Sequence, residues 1–402
     1  MYGMTSNYSM SGKGAKKKLA VITTHPIQYH APLYALLVQR GVIDIKVFYT
    51  WGESVLKDKF DPGFGKVIEW DIPLLKGYPY EFLENTADDK GSHHFNGIKN
   101  PGLIEAVDQY NPDAILIYGW SFHSHLRLMR HYKGRVPVIF RGDSTLLDQT
   151  GFIQGLKRKL FLAWLYRYID KALYVGKSNY DYFRYALVPE KKLIFGPHVI
   201  DNGRFACSDP VCQSKAAEYR KQLNIAADEA VFLFAGKLEP KKAPDQLLQA
   251  FTEAGMPGRI HLVITGNGPL ENLLKDKYGK HQQVHFLDFQ NQASMPALYQ
   301  MADVFVLPSI GPGETWGLAV NEAMANGKPV IVSDSCGSAR DLVEHGVNGF
   351  VFEAGQLASL QNALLTMVQV EPEWEKMGKA SKEKVQQYSL ENLAKAIESL
   401  LS

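Results

Sequence analysis

The sequence predicts an α/β protein built from two Rossmann-like, doubly wound domains. At 402 residues the chain is long for one hydrophobic core and suits two. It opens as a strand, Lys18 to Thr24, then a helix from Ala31 and a second strand, Ile43 to Tyr49. That βαβ order belongs to a parallel, doubly wound sheet. A fresh α/β pattern then starts at the apolar run Ala230 to Gly236.

In the first half, Pro32 near the start of the opening helix fits its first turn. Loops after the carboxyl ends of parallel strands line ligand sites, so His25, Gln28 and His30 are candidates for ligand contacts or for filling a polar gap. A strand at 113–118 ends in Gly119-Trp120-Ser121-Phe122-His123, and one at 136–140 ends in Arg141-Gly142-Asp143-Ser144. Both loops fall on the same rim. Arg141 suits either bidentate capture of a phosphate or a salt bridge to Asp143. Residues 51–100 are aromatic and turn-rich, as in a partly mobile insertion. Within them His93-His94 reads as solvated, because no carboxylate spacing supports a metal. Residues 152–168 mix bases with aromatics. That pattern suits a helix packed on the sheet or one lying on an anionic membrane surface.

Charge is uneven. Residues 1–200 hold 26 Lys and Arg against 18 Asp and Glu, and residues 201–402 hold 18 against 24. A basic first half suits a membrane surface or a phosphate-bearing molecule. The imbalance is too mild for a nucleic-acid partner, and no such motif is present. Cys207, Cys212 and Cys336 give neither a disulfide framework nor a metal pattern, so a reducing, cytoplasmic compartment is expected. No apolar run reaches a membrane-spanning length, and the polar start lacks a signal peptide. The expected division is a disordered tail or tag remnant at 1–17, a first domain at 18–205, a second at 206–387 and a terminal helix at 388–402.

The second half carries the chemistry. Gly236 ends its first strand and is followed by Lys237 and Lys242. Gly266-Asn267-Gly268 makes a tight turn after the next strand, but the third glycine of a dinucleotide fingerprint falls on Glu271, which disfavours a nicotinamide site. Glu314 lies in a turn after the strand Asp303 to Leu307. A helix starting near Gly317 and stopping at Asn326-Gly327 carries Glu322. Its unpaired amide end is a place for an anion.

This ordered set resembles the signature of retaining glycosyltransferases of the GT-B fold, the group that builds bacterial polysaccharides and glycolipids. The resemblance is dense over residues 230–352 and only a fold pattern before residue 205. It implies two domains facing a cleft, with the terminal helix returning to the first. Glu314 would face the transferred sugar and Glu322 would accept from the ribose hydroxyls. Lys237 and Lys242 would grip the diphosphate, although the family usually has arginine at the first position and glycine where Ala243 stands. Gly236, Gly266, Asn267, Phe289, Gln290, Trp316, Gly317 and Leu318 would complete the donor side. His25, Gln28, Trp120, His123, Arg141 and Asp143 would face the acceptor.

The implied reaction moves a sugar from a nucleotide-diphosphate donor to a hydroxyl of a glycan, glycolipid or small molecule. No cofactor or metal is expected, because the chain has no Asp-x-Asp pair. A sugar-nucleotide epimerase and an inactive partner subunit of the same fold are the alternatives.

Overall fold

A computed structural model describes residues 15–53, 60–61, 66–67, 71–148, 151–311 and 313–401. Most of the expected tail, and much of the expected insertion before residue 71, lie outside the described residues. The first half contains strands β1 (Lys18–Thr23), β2 (Asp44–Tyr49), β3 (Phe60–Asp61), β4 (Lys66–Val67), β5 (Tyr80–Phe82), β6 (Ala114–Tyr118), β7 (Val138–Arg141), β8 (Lys171–Tyr174) and β9 (Leu193–Phe195). Seven of them form one sheet in the order β5-β2-β1-β6-β7-β8-β9, with every pairing parallel. β3 and β4 make a separate two-residue antiparallel ladder.

The second half adds β10 (Ala230–Ala235), β11 (Ile260–Thr265), β12 (Val284–Leu287), β13 (Val304–Leu307), β14 (Val330–Ser333) and β15 (Gly349–Phe352). Their order is β12-β11-β10-β13-β14-β15, again all parallel. This is the doubly wound order with one reversal point. Helices cover both faces, so β10 and β11 are buried at every residue; β10 reads as an unbroken apolar run, and β11 is interrupted only by His261 and Thr265. The reversals fall between β1 and β6 and between β10 and β13. The connecting chains leave toward opposite faces there, which opens a crevice beyond the carboxyl ends of the strands.

Among the links between the lobes are a terminal helix and the linker. The terminal helix Leu390–Glu398 buries Leu393, Ala394 and Ile397 in the first lobe's core beside Leu33 and Leu37, and Glu398 pairs with Arg40 at 2.7 Å. The second is the linker at the expected boundary near 205/206. Phe205 is fully buried in the second lobe, 6.0 Å from the Tyr299 ring, and its carbonyl accepts from Asn326. The core therefore changes hands a few residues before 206.

The cysteine reading is also corrected. Cys207 and Cys212 form a disulfide, with Cα atoms 5.5 Å apart. Cys207 takes a left-handed conformation, and Asp209 caps the helix Pro210–Gln222, folding the chain back over five residues. Such a turn brings two thiols into bridging range, so the cysteine count gives no support to a reducing compartment. No helix among the described residues is long and apolar enough to cross a membrane.

Candidate active site

A cavity of about 330 Å³ lies where the loop after β1 meets the loops after β10, β11 and β13. Gly236, Lys237, Lys242, Gly266, Phe289, Gln290, Gly317, Leu318 and Glu322 line it from the second lobe, and Gln28 and Tyr29 from the first. Backbone geometry explains the glycines. Gly266 has φ +129°, and a Cβ there would collide with the Gly236 carbonyl. Gly317 has φ +86° at the head of the helix Leu318–Ala325, and a Cβ there would sit 2.6 Å from Cys336 Sγ. Only glycine lets the chain turn this tightly. The helix consequently begins at the cavity wall, where its first-turn amides lack helical partners.

The two glutamates sit differently. Glu322 is buried, and its oxygens accept from the hydroxyls of Tyr29 at 2.9 Å and Tyr299 at 2.7 Å. Burial pushes its carboxyl above the usual range, opposed by those two hydroxyls and by the Arg204 charge. Glu314 is also buried. Its Oε2 is paired with Lys242 and accepts from Ser309 Oγ at 2.9 Å. Lys242 belongs to the turn Pro240–Lys242, and the following Ala243 is left-handed (φ 49°), the conformation a glycine adopts freely.

Two expected donor residues act from behind the wall. Asn267 is buried. Its oxygen accepts from the Phe289 amide and its nitrogen donates to Glu271, which pins the 288–290 loop. Trp316 is also buried, with its indole donating to Asn321 and its ring beside His198 and Tyr388. In this arrangement it packs between the lobes.

Most of the acceptor-side residues are engaged away from the cavity. Arg141 is buried and donates to the carbonyls of Gly196 and Pro197 at 2.6 and 2.8 Å, so it meets neither the cavity nor Asp143 as a close pair. His123 starts the helix His123–Tyr132 and lines a separate surface hollow with Phe95, Arg127 and Arg130. Trp120 packs edge-on to Phe161 against the first core. His25 bonds Thr24 and abuts Trp51. Its neighbour His30 is pushed down to about 3, by burial first and then by the charges of Arg141, His198 and His25.

Asp143 crosses between the lobes and accepts from Thr315 Oγ1 at 2.7 Å. Burial alone would raise its carboxyl, but His198 and Thr315 outweigh burial and hold it well below the usual range. His93 and His94 do have a carboxylate beside them, since Asp89 Oδ2 lies 3.1 and 3.3 Å from their Nε2 atoms. The three are solvent-facing or nearly so and line no part of the cavity.

Sequence reasoning missed Tyr29, Tyr299, Ser309 and Thr315. Tyr29 and Thr315 sit inside stretches already singled out. Tyr299 lies on the apolar helix Met295–Met301, where a tyrosine looks like core.

Residues 215–384 match the family of glycosyl transferases group 1. An uncharacterized glycosyltransferase of Methanocaldococcus jannaschii is 32% identical over 260 residues, 62% of this chain and 64% of that one. A phosphatidyl-myo-inositol mannosyltransferase of Mycobacterium leprae is 33% identical over 172 residues, 41% of this chain and 44% of that one. The matched stretch thus spans less than two thirds of either relative. Among solved structures, Anabaena HepE in complex with UDP overlays with a TM-score of 0.70 at 19% identity, covering 96% of this chain and 99% of that one. The sucrose-phosphate synthase of Thermosynechococcus elongatus does so with a TM-score of 0.70 at 20% identity, covering 96% and 98%. At such identities the overlays speak for the fold alone. The two parallel sheets with facing rims form a GT-B fold, and region 215–384 is similar to the group 1 glycosyl transferases.

Proposed function

We propose that the protein is a hexosyltransferase that moves a sugar from a nucleotide-diphosphate donor to a hydroxyl acceptor, with retention and without a metal. One observation carries this reading. Lys237, Lys242, the amide end of the helix Leu318–Ala325 and the buried Glu322 converge on one polar cavity between the lobes.

Breaking the bond from sugar to diphosphate leaves negative charge on the diphosphate. Ammonium groups and helix-end amides stabilise that charge where water is excluded. Lys237 and Lys242 take the phosphates, with the Leu318 and Ala319 amides beside them. Glu322 takes the ribose hydroxyls. Glu314, held by Lys242 and Ser309, positions the sugar hydroxyls and stabilises developing positive charge. The acceptor attacks on the face the leaving group vacates, and a leaving-group oxygen takes its proton. No side-chain nucleophile is required. Contacts between the lobes, such as Asp143 with Thr315 and Tyr29 with Glu322, keep the cleft closed and limit hydrolysis.

The mycobacterial relative is named for a lipid acceptor. Together with the basic first half, that supports a lipid-linked or phosphate-bearing acceptor at a membrane surface. The test is thermal unfolding of the full chain with a panel of nucleoside diphosphates, with and without a chelator. One diphosphate must raise the midpoint without added metal. Transfer that dies on chelation and returns only with magnesium or manganese would overturn the metal-free reading. Sugar interconversion without acceptor would replace transfer with epimerisation.

A further inference from the structure

The helix Phe152–Tyr166 is apolar on two faces. Leu162, Leu165 and Tyr166 are buried against the first sheet. The outward face carries Phe152, Ile153, Leu156, Leu160, Phe161 and Trp164, with Phe152 88%, Ile153 69% and Leu160 61% exposed. Single exposed apolar residues are ordinary, but six on one short helix form a ridge that water would not favour uncovered.

The ridge is framed by cations. Residues 151–169 contain Lys157, Arg158, Lys159 and Arg167 and no acidic residue. Arg158 is taken by Asp148 at 2.7 Å, leaving three cations along the helix. Arg130 of a neighbouring helix lies over the Tyr168 ring, and Arg167 lies over the Trp164 and Tyr168 rings. Apolar side chains flanked by long basic ones and a tryptophan are what the headgroup layer of an anionic bilayer accommodates. A second copy of this chain fits poorly. A two-fold contact would set the cationic frame against itself, with no acid in the stretch to answer it.

Position gives the ridge a use. The helix follows β7, whose carboxyl end lies on the rim of the first sheet. Phe161 touches Trp120 at the end of β6. We infer that this ridge docks the first lobe onto an anionic membrane surface, with the acceptor half of the cleft turned toward the lipid headgroups. The use as an acceptor platform rests on the sugar-transfer reading, whereas the docking itself does not.

The experiment is flotation of the full chain with vesicles of phosphatidylglycerol and phosphatidylcholine, against phosphatidylcholine alone. The anionic vesicles should carry the protein, with partitioning at least about tenfold above the neutral ones and weaker in high salt. Ile153→Ser with Leu160→Ser, and separately Lys157→Gln with Lys159→Gln, should each lower partitioning by about tenfold. Neither pair touches the donor cavity, so the midpoint shift with nucleoside diphosphate should persist in both. Equal partitioning to the two vesicle types overturns the inference. So does a solution dimer that the serine pair splits while no vesicle binds. Vesicle binding without any diphosphate shift would leave the ridge standing and sink the sugar-transfer reading instead.

Discussion

The two rims of the cleft contrast in how their side chains are engaged. On the second lobe, the predicted residues open onto the cavity or brace its wall, and glycine backbone sets their positions. On the first lobe, Arg141, Trp120 and His123 are held by carbonyls, by a neighbouring ring or by a separate hollow. A site made from tight turns and a helix end is fixed by local sequence. A site made from long side chains on strand ends depends on what else comes to meet them.

The largest expected effect tests the donor rim directly. Lys242→Ala removes one of the charges that receive the diphosphate. Transfer should fall by about a hundredfold to a thousandfold in kcat, the usual loss for one such electrostatic contact. Far-UV circular dichroism should show the fold intact. Turnover within a few-fold of wild type in a folded variant breaks the leaving-group role and removes the contrast between the rims.

Gly266→Ala attacks the same rim through its backbone. The new Cβ meets the Gly236 carbonyl, and the left-handed φ adds strain. A loss of about 2–4 kcal/mol in denaturant-derived stability is expected, together with loss of diphosphate binding. A variant as stable as wild type would mean that the two turns have room to part.

Arg141→Ala probes the opposite rim. Its guanidinium holds two buried linker carbonyls, so the expected loss is stability, on the order of 2 kcal/mol. The KM for a phosphate-bearing acceptor should stay put. A raised acceptor KM with unchanged stability would return Arg141 to the phosphate-binding role that its sequence position suggested.

These cases mark what was legible. Both sheets, the strand–turn–helix order around Glu314 and Glu322, and the glycine turns follow from apolar runs and glycine spacing, which act locally. The Cys207–Cys212 bridge was missed because only the capped turn between them brings the thiols together. Asp89 beside His93 and His94 was missed because the loop folds back on itself, with the Gly91 amide bonded to the Gly97 carbonyl. Arg141 stood at the expected rim, yet its partners come from the interlobe linker, about 55 residues away, beyond the reach of local pattern. Tyr299 could not be told from core, because a phenol in an apolar helix shows its partner only once the fold places Glu322 against it.

The smallest effect concerns the residue that joins the two rims. Tyr29 comes from the first lobe and donates to the Glu322 oxygen that the ribose would use. Donor binding must therefore replace that bond or share its acceptor. Tyr29→Phe removes the competing hydroxyl and leaves Tyr299 on the other oxygen. One hydrogen bond to a buried carboxylate is worth about 1 kcal/mol net, so the diphosphate should bind roughly threefold to tenfold tighter, measured by calorimetry. The same variant gives up a contact between the lobes and should leak more donor hydrolysis in the absence of acceptor. Weaker binding in Tyr29→Phe would mean that the hydroxyl holds Glu322 ready for the ribose rather than competing with it. The first lobe would then be part of the donor site, and the division of labour between the rims would have to be redrawn.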